Sequence, residues 1–293
     1  MNLLVQIISY LLSFTWSALT HKGYCMPKDL QSVPPKERAI NCGEDGYFIH
    51  HDFVGVLDGV GGWSRSGIDT SFLVWKLIEY SKVYHPLELS GPQDLLEKAY
   101  DKLKSHLLSG SCTAIYLSFE KGILKSSLIG DSGFLVARKS KDTWTVVYRS
   151  TEQQHFFNAP LQIGLNMGVP LNDLPGDSVQ HEMAIYPGDL VISGTDGLFD
   201  NLFDEDILKI IAKYDFNVLC EAHEKAQECA QELVETARKY GMDNQRTSPF
   251  GRNALKQGYY FEGGKLDDVA VVVSFVHQLD QCADVCPVSL LQK

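Results

Sequence analysis

The chain has 293 residues, 44% of them hydrophobic and 22% charged, the composition of a globular enzyme with apolar content for one large core. A formal charge of -11 opposes phosphate backbones and anionic lipid, so nucleic acid is excluded as a partner and cations are favoured. The seven cysteines (25, 42, 112, 220, 229, 282 and 286) form no CxxC pair, which removes the usual signature of structural zinc; the terminal Cys282 and Cys286 read as free thiols, with a pair between them as the alternative, and the count leaves the redox compartment open.

Residues 1–19, "MNLLVQIISYLLSFTWSAL", are uncharged and read as an apolar leader, a signal sequence or anchor for the secretory pathway, with a buried N-terminal helix as the alternative. Membrane contact is expected through this segment alone. Residues 20–43, with three prolines and scattered charges, read as a linker. The folded domain is expected over 44–277, followed by a tail at 278–293.

Within the domain, "YFIHHDFVGVL" (47–57) is β-rich and stops at "DGVGG", where small residues turn the chain. Helical periodicity follows at 70–84 and 92–108. Four β-type runs at 113–119, 122–130, 134–138 and 144–149 are joined by short turns that favour antiparallel pairing. Residues 150–188 read as loop, 189–195 as a strand, and helices are expected near 204–214 and 217–240. A polar loop over 241–265 leads to a last strand at 269–276. This order of strand block and helix pair predicts antiparallel sheets covered by helices rather than an alternating parallel fold.

Four aspartates share one setting, each where an apolar strand meets a turn: Asp58, Asp131, Asp196 and Asp267. Aspartate is an ordinary turn former, but a turn alone would accept Asn, Ser or Gly at any of these places. Carboxylates gathered at neighbouring strand ends repel unless a cation lies between them, and oxygen-only ligation suits hard ions such as Mg²⁺ or Mn²⁺. "GDSG" at 130–133 raises a second possibility, a nucleophilic Ser132, but no histidine-bearing segment of the type that serves such a serine precedes it. "DGVGG" lacks the spacing of a nucleotide loop.

"GEDGYF" (43–48), "GVLDGVGGW" (55–63), "GDSGF" (130–134), "TDGLFDNL" (195–202) and "GGKLDDVAVVVSFV" (263–276) resemble, in order, the motifs of the metal-dependent protein serine/threonine phosphatases of type 2C. "EQQHFFNAPLQI" (152–163) and "TSPF" (247–250) are similar to the organellar branch of that family. The resemblance implies an α+β fold, a four-layer α-β-β-α sandwich of two antiparallel sheets flanked by helix pairs. It also implies hydrolysis of phosphoserine and phosphothreonine in proteins by a metal-activated water, without a phosphoenzyme, and a monomeric domain. Carried over by position, Asp58 and the Gly59 carbonyl, Asp196 and Asp267 would hold two Mn²⁺ or Mg²⁺ ions. Glu44 and Asp45 would hold metal-bound waters, Asp131 and Asp200 would serve a weaker third site, and Asp268 would support the shell.

The chain departs from the family pattern at two places. Ile40 stands where better-known members have a phosphate-binding Arg, leaving Arg38, Lys36 or Arg65 as candidates for that role. Val60 stands where many have His, leaving His51 and His155 as candidate acids for the leaving oxygen. These departures motivate a competing reading, a pseudophosphatase acting as a binding module. Arg246, Arg252 and Lys256 in the 241–265 loop are candidate contacts for a phosphopeptide, and Trp63 is expected to pack the turn below the site. The family likeness points to mitochondrion or plastid, whereas the arginine-free leader points to the secretory pathway.

Overall fold

The computed structural model describes residues 19–26, 42–50, 52–84, 89–165, 173–216 and 219–277. Strand alternation determines its layers. In the last strand, β13 (Val269–Val276), Val269, Val271, Val273 and Phe275 enter an apolar cluster shared with helices. Ala270, Val272 and Val276 enter a second cluster between the two sheets. The run "VAVVVSFV" is almost continuously apolar because both of its faces are covered. Each such valine contributes roughly 1.5–3 kcal/mol by burial.

One sheet runs in the order β1 (Leu19–Met26), β13, β12 (Leu190–Gly194), β6 (Gly133–Ser140), β7 (Thr143–Arg149). The other runs β11 (Val179–Ala184), β5 (Ile123–Ile129), β4 (Gly110–Glu120), β3 (Phe53–Gly59), β2 (Gly46–His50), with β10 (Ile163–Leu165) also pairing β4. Every pairing in the two sheets is antiparallel. A small hairpin, β8 (Gln154–Phe156) and β9 (Ala159–Pro160), stands apart.

Helices α1 (Ser71–Tyr84) and α2 (Pro92–Leu103) cover the second sheet, placing Leu73, Leu77, Leu95, Ala99 and Leu103 against Leu57 and Tyr116. On the first sheet lie α3 (Asp196–Phe199), α4 (Asp204–Ile211) and α5 (Leu219–Gly241), through Leu198, Ile207, Leu233 and Ala237 among others. The result is the four-layer α+β sandwich that the motif order implies. No helix among the described residues is long and apolar enough to cross a membrane.

The structure corrects four element boundaries. The run at 47–57 is a hairpin, β2 and β3, rather than one strand. Leu19–Met26, the last residue read as leader and the first seven read as linker, pairs along β13 from Leu19 opposite Val276 to Met26 opposite Val269. The supposed loop at 150–188 contains β11, which pairs β5 in full register. The supposed loop at 241–265 contains a helix, α6 (Pro249–Lys256). The leader before residue 19 and the tail after residue 277 lie outside the described residues.

Candidate metal centre

Strand register brings the four turn aspartates to one end of the sandwich. Asp58 closes β3 opposite Thr113, and β5 reaches the same end, with Ile129 opposite Ala114 and Asp131 two residues beyond. In the other sheet Gly194 pairs with Gly133 and with Val271, so Asp196 leaves β12 where Asp267 leads into β13. Asp58 has the same parity as Val54 and Val56, which fill the cluster between the sheets. It therefore continues that apolar row as a carboxylate at the mouth.

Asp58, Asp131 and Asp196 each offer an oxygen within 4.8 Å of the other two. Burial raises the Asp58 carboxyl well above its ordinary range, and Asp196 and Asp45 push it further. Asp131 is raised in the same way, by burial first and then by Asp196 and Asp200. Asp45 is raised by burial, then by Asp268 and Asp267. Such crowding is costly unless positive charge enters, and the all-oxygen donor set is the one hard divalent ions take. These residues fit a metal.

The surrounding shell is fixed by hydrogen bonds. The Asp45 carboxylate accepts from the Thr195 hydroxyl at 2.8 Å, and Thr195 Oγ1 in turn accepts from Ala270 N at 3.0 Å. Glu44 Oε1 accepts from Thr70 at 3.0 Å, while the Glu44 amide donates to Asp268 Oδ2 at 2.9 Å. Two glycines are required by close approach. A Cβ on Gly59 would lie 2.8 Å from the Glu44 carbonyl oxygen, and one on Gly197 would lie 1.9 Å from that of Asp268.

Lys265 is the site residue that sequence reasoning missed. Its ammonium contacts Asp196 Oδ2, lies 2.7 Å from Asp200 Oδ2 and 3.4 Å from Asp267 Oδ2. Burial works against its charge, but Asp196, Asp200 and Asp267 hold its pKa well above the usual value. On Asp196 the same contact overrides burial and lowers the carboxyl. The signal was present in "GGKLDD", since Lys265 stands two residues before Asp267 and shares its face in an extended chain.

Other candidates fall elsewhere. Ser132 is fully buried, and its hydroxyl meets that of Thr113 at 2.7 Å, so it has the surroundings of a structural turn residue rather than a nucleophile. His155 is engaged by Asp173 at 2.9 Å. Arg65 is exposed on the 3₁₀ turn Gly61–Ser66 and, among the described residues, makes no ion pair with a site carboxylate. Lys36, Arg38, Ile40 and His51 lie outside the described residues. Trp63 is half-buried and donates its indole N–H to Ser111 at 2.7 Å. Two of the three loop cations have structural work: Arg246 bonds Asp206 at 2.8 Å and covers Tyr240, and Arg252 covers Phe203. Lys256 instead lines a cavity of about 170 Å³ shared with Asp131, Glu152, Asp200 and Asn253.

No protein-family model matches the chain. It is 36% identical over 249 residues to a probable protein phosphatase 2C 55 of Arabidopsis thaliana, covering 83% of this chain and 50% of that protein. The chain thus spans about half the length of that plant relative. It is also 35% identical over 250 residues to the protein phosphatase PTC7 homolog fig of Drosophila grimshawi, covering 80% of this chain and 79% of the fly protein. The chain belongs to the type 2C protein phosphatase family. Among solved structures, the photosystem II phosphatase PBCP superposes with a TM-score of 0.74 at 28% identity, covering 88% of this chain and 98% of that one. Membership in the type 2C family and the carboxylate cluster point the same way, to a metal-dependent site at the end of the sandwich.

Proposed function

We propose that this chain hydrolyses phosphoserine and phosphothreonine in protein substrates, using two divalent ions, Mn²⁺ or Mg²⁺. The observation that carries the reading is the convergence of Asp58, Asp131 and Asp196 at the mouth between the sheets. Asp58 with the Gly59 carbonyl, Asp196 and Asp267 would hold the ions, while Glu44, Asp45 and Asp268 orient that shell through Thr70, Thr195 and the Glu44 amide. Divalent ions held there acidify water and neutralise the phosphoryl oxygens, which an acidic protein does not do with its own side chains.

The remaining work belongs to the chain. Apolar packing of Val54 and Val56 below Asp58 closes the floor of the site to bulk water. The cavity lined by Asn253 and Lys256 gives polar contacts to the substrate segment beside the phosphoryl group.

The test is release of phosphate from a phosphothreonine peptide. Activity is expected with Mn²⁺ and not after chelation, and Asp196→Asn should lose at least about 100-fold in kcat. Ser132→Ala should keep most activity. Metal-independent turnover, or full activity in Asp196→Asn, would contradict the proposal.

A further inference from the structure

Lys265 contributes more than neutralisation. Both of its backbone groups are gripped by one side chain: its N–H donates to Asn201 Oδ1 at 2.9 Å, and its carbonyl accepts from Asn201 Nδ2 at 2.8 Å. Asn201 is itself buried and donates to the Gly197 carbonyl at 2.9 Å, so Lys265 is registered against the turn that carries Asp196 and Asp200. The preceding residue allows this seat only as glycine, because a Cβ on Gly264 would lie 2.0 Å from the Tyr240 carbonyl oxygen. The side chain is 19% exposed, and its ammonium also lies 5.2 Å from the centre of the Phe250 ring. A lysine held at its backbone, under cover, with its ammonium against three carboxylates is a fixed cation rather than a surface charge.

We propose that the Lys265 ammonium is a built-in cation of this centre: it takes up Asp200 and one oxygen each of Asp196 and Asp267, leaving their other oxygens for ligation, so the site binds two divalent ions and is closed to a third. The inference rests on the reading of Asp58, Asp196 and Asp267 as ligands of the first two. Asp131 and Asp200 both line a cavity beside the centre, and an ion shared between them would have to come close to the ammonium already bound at Asp200. Like charges at that range repel one another. A chain with an uncharged residue at 265 leaves the Asp131–Asp200 pair for a further ion.

Ion stoichiometry separates the possibilities without using activity. Equilibrium dialysis against Mn²⁺ at rising free concentration is expected to give two ions per chain for the wild type and one additional ion for Lys265→Met. Lys265→Met combined with Asp200→Asn should return to two. Lys265→Gln, which keeps a polar group without the charge, should match Lys265→Met and serves if the methionine variant is not folded by circular dichroism. Three ions on the wild type, or two on both folded charge-removal variants, would overturn the proposal. No ion on the wild type would overturn the metal reading of the centre, and the inference with it.

Discussion

At the residue scale, Asp200 carries the pH signature of the centre. Burial raises its carboxyl from the ordinary 3.8, Lys265 pulls it back, Asp196 and Glu152 raise it again, and it stands at about 7. In metal-free protein the folded state therefore keeps this proton to higher pH than the unfolded chain does. Its contribution to stability is fully present below pH 3.8 and is lost as pH rises to about 7. Asp45, Asp58 and Asp131 are shifted in the same direction. Thermal melts in chelator should show a midpoint that falls between pH 5 and pH 8, and saturating Mn²⁺ should reduce that fall. A flat or rising midpoint in chelator would contradict the account. Asp58, Asp131, Asp196 and Asp267 were legible, because each stands where an apolar strand meets a turn, whereas Asp45 and Asp200 came only with the family resemblance. Lys265 was not, since a lysine after two glycines reads as solvated surface. Its burial is imposed by Asn201, which is 64 positions away in the chain.

At the element scale, α6 joins the centre to its flank. Ser248 caps the helix by accepting from Gly251 N at 3.0 Å, and its hydroxyl donates to the Gly263 carbonyl at 2.6 Å. One buried side chain thus sets both the helix bearing Asn253 and Lys256 and the start of the run that ends in Lys265. Ser248→Ala should cost about 1–2 kcal/mol, read as a lower urea midpoint at constant slope. An unchanged midpoint would show that the cap does not anchor the helix. A start signal for α6 was in the sequence, Ser248 followed by Pro249, but eight residues are too few for periodicity to declare a helix. β1 was hidden for a different reason. "LTHKGYCM" has no strict alternation, and its pairing comes from the valine-rich edge of β13 rather than from its own pattern. By contrast β4, β5, β6, β7 and β13 were legible because apolar runs between tight turns leave few alternatives.

At the scale of the whole molecule, two sheets packed face to face bring together strand ends that are far apart in sequence. Asp58 lies in β3 of one sheet and Asp196 follows β12 of the other, and Thr195 reaches across to Asp45 over 150 positions. Among the described residues, Asp58, Asp131 and Asp196 converge here, with the Lys265 ammonium against Asp196, Asp200 and Asp267. A centre of this kind gains stability from the ions it binds, by about 2.7 kcal/mol when the free ion is 100-fold above its dissociation constant. Ion binding and hydrolysis should therefore fail together when Asp58, the carboxylate that would help hold these ions from the floor of the mouth, is neutralised. The most direct measurement is a Mn²⁺ titration of Asp58→Asn beside the wild type, following the melting midpoint and phosphate release from a phosphothreonine peptide in the same samples. The account predicts that the wild type gains both stability and activity with Mn²⁺ and that the variant, folded by circular dichroism, gains neither. A folded Asp58→Asn that hydrolyses the peptide at the wild-type rate would contradict it.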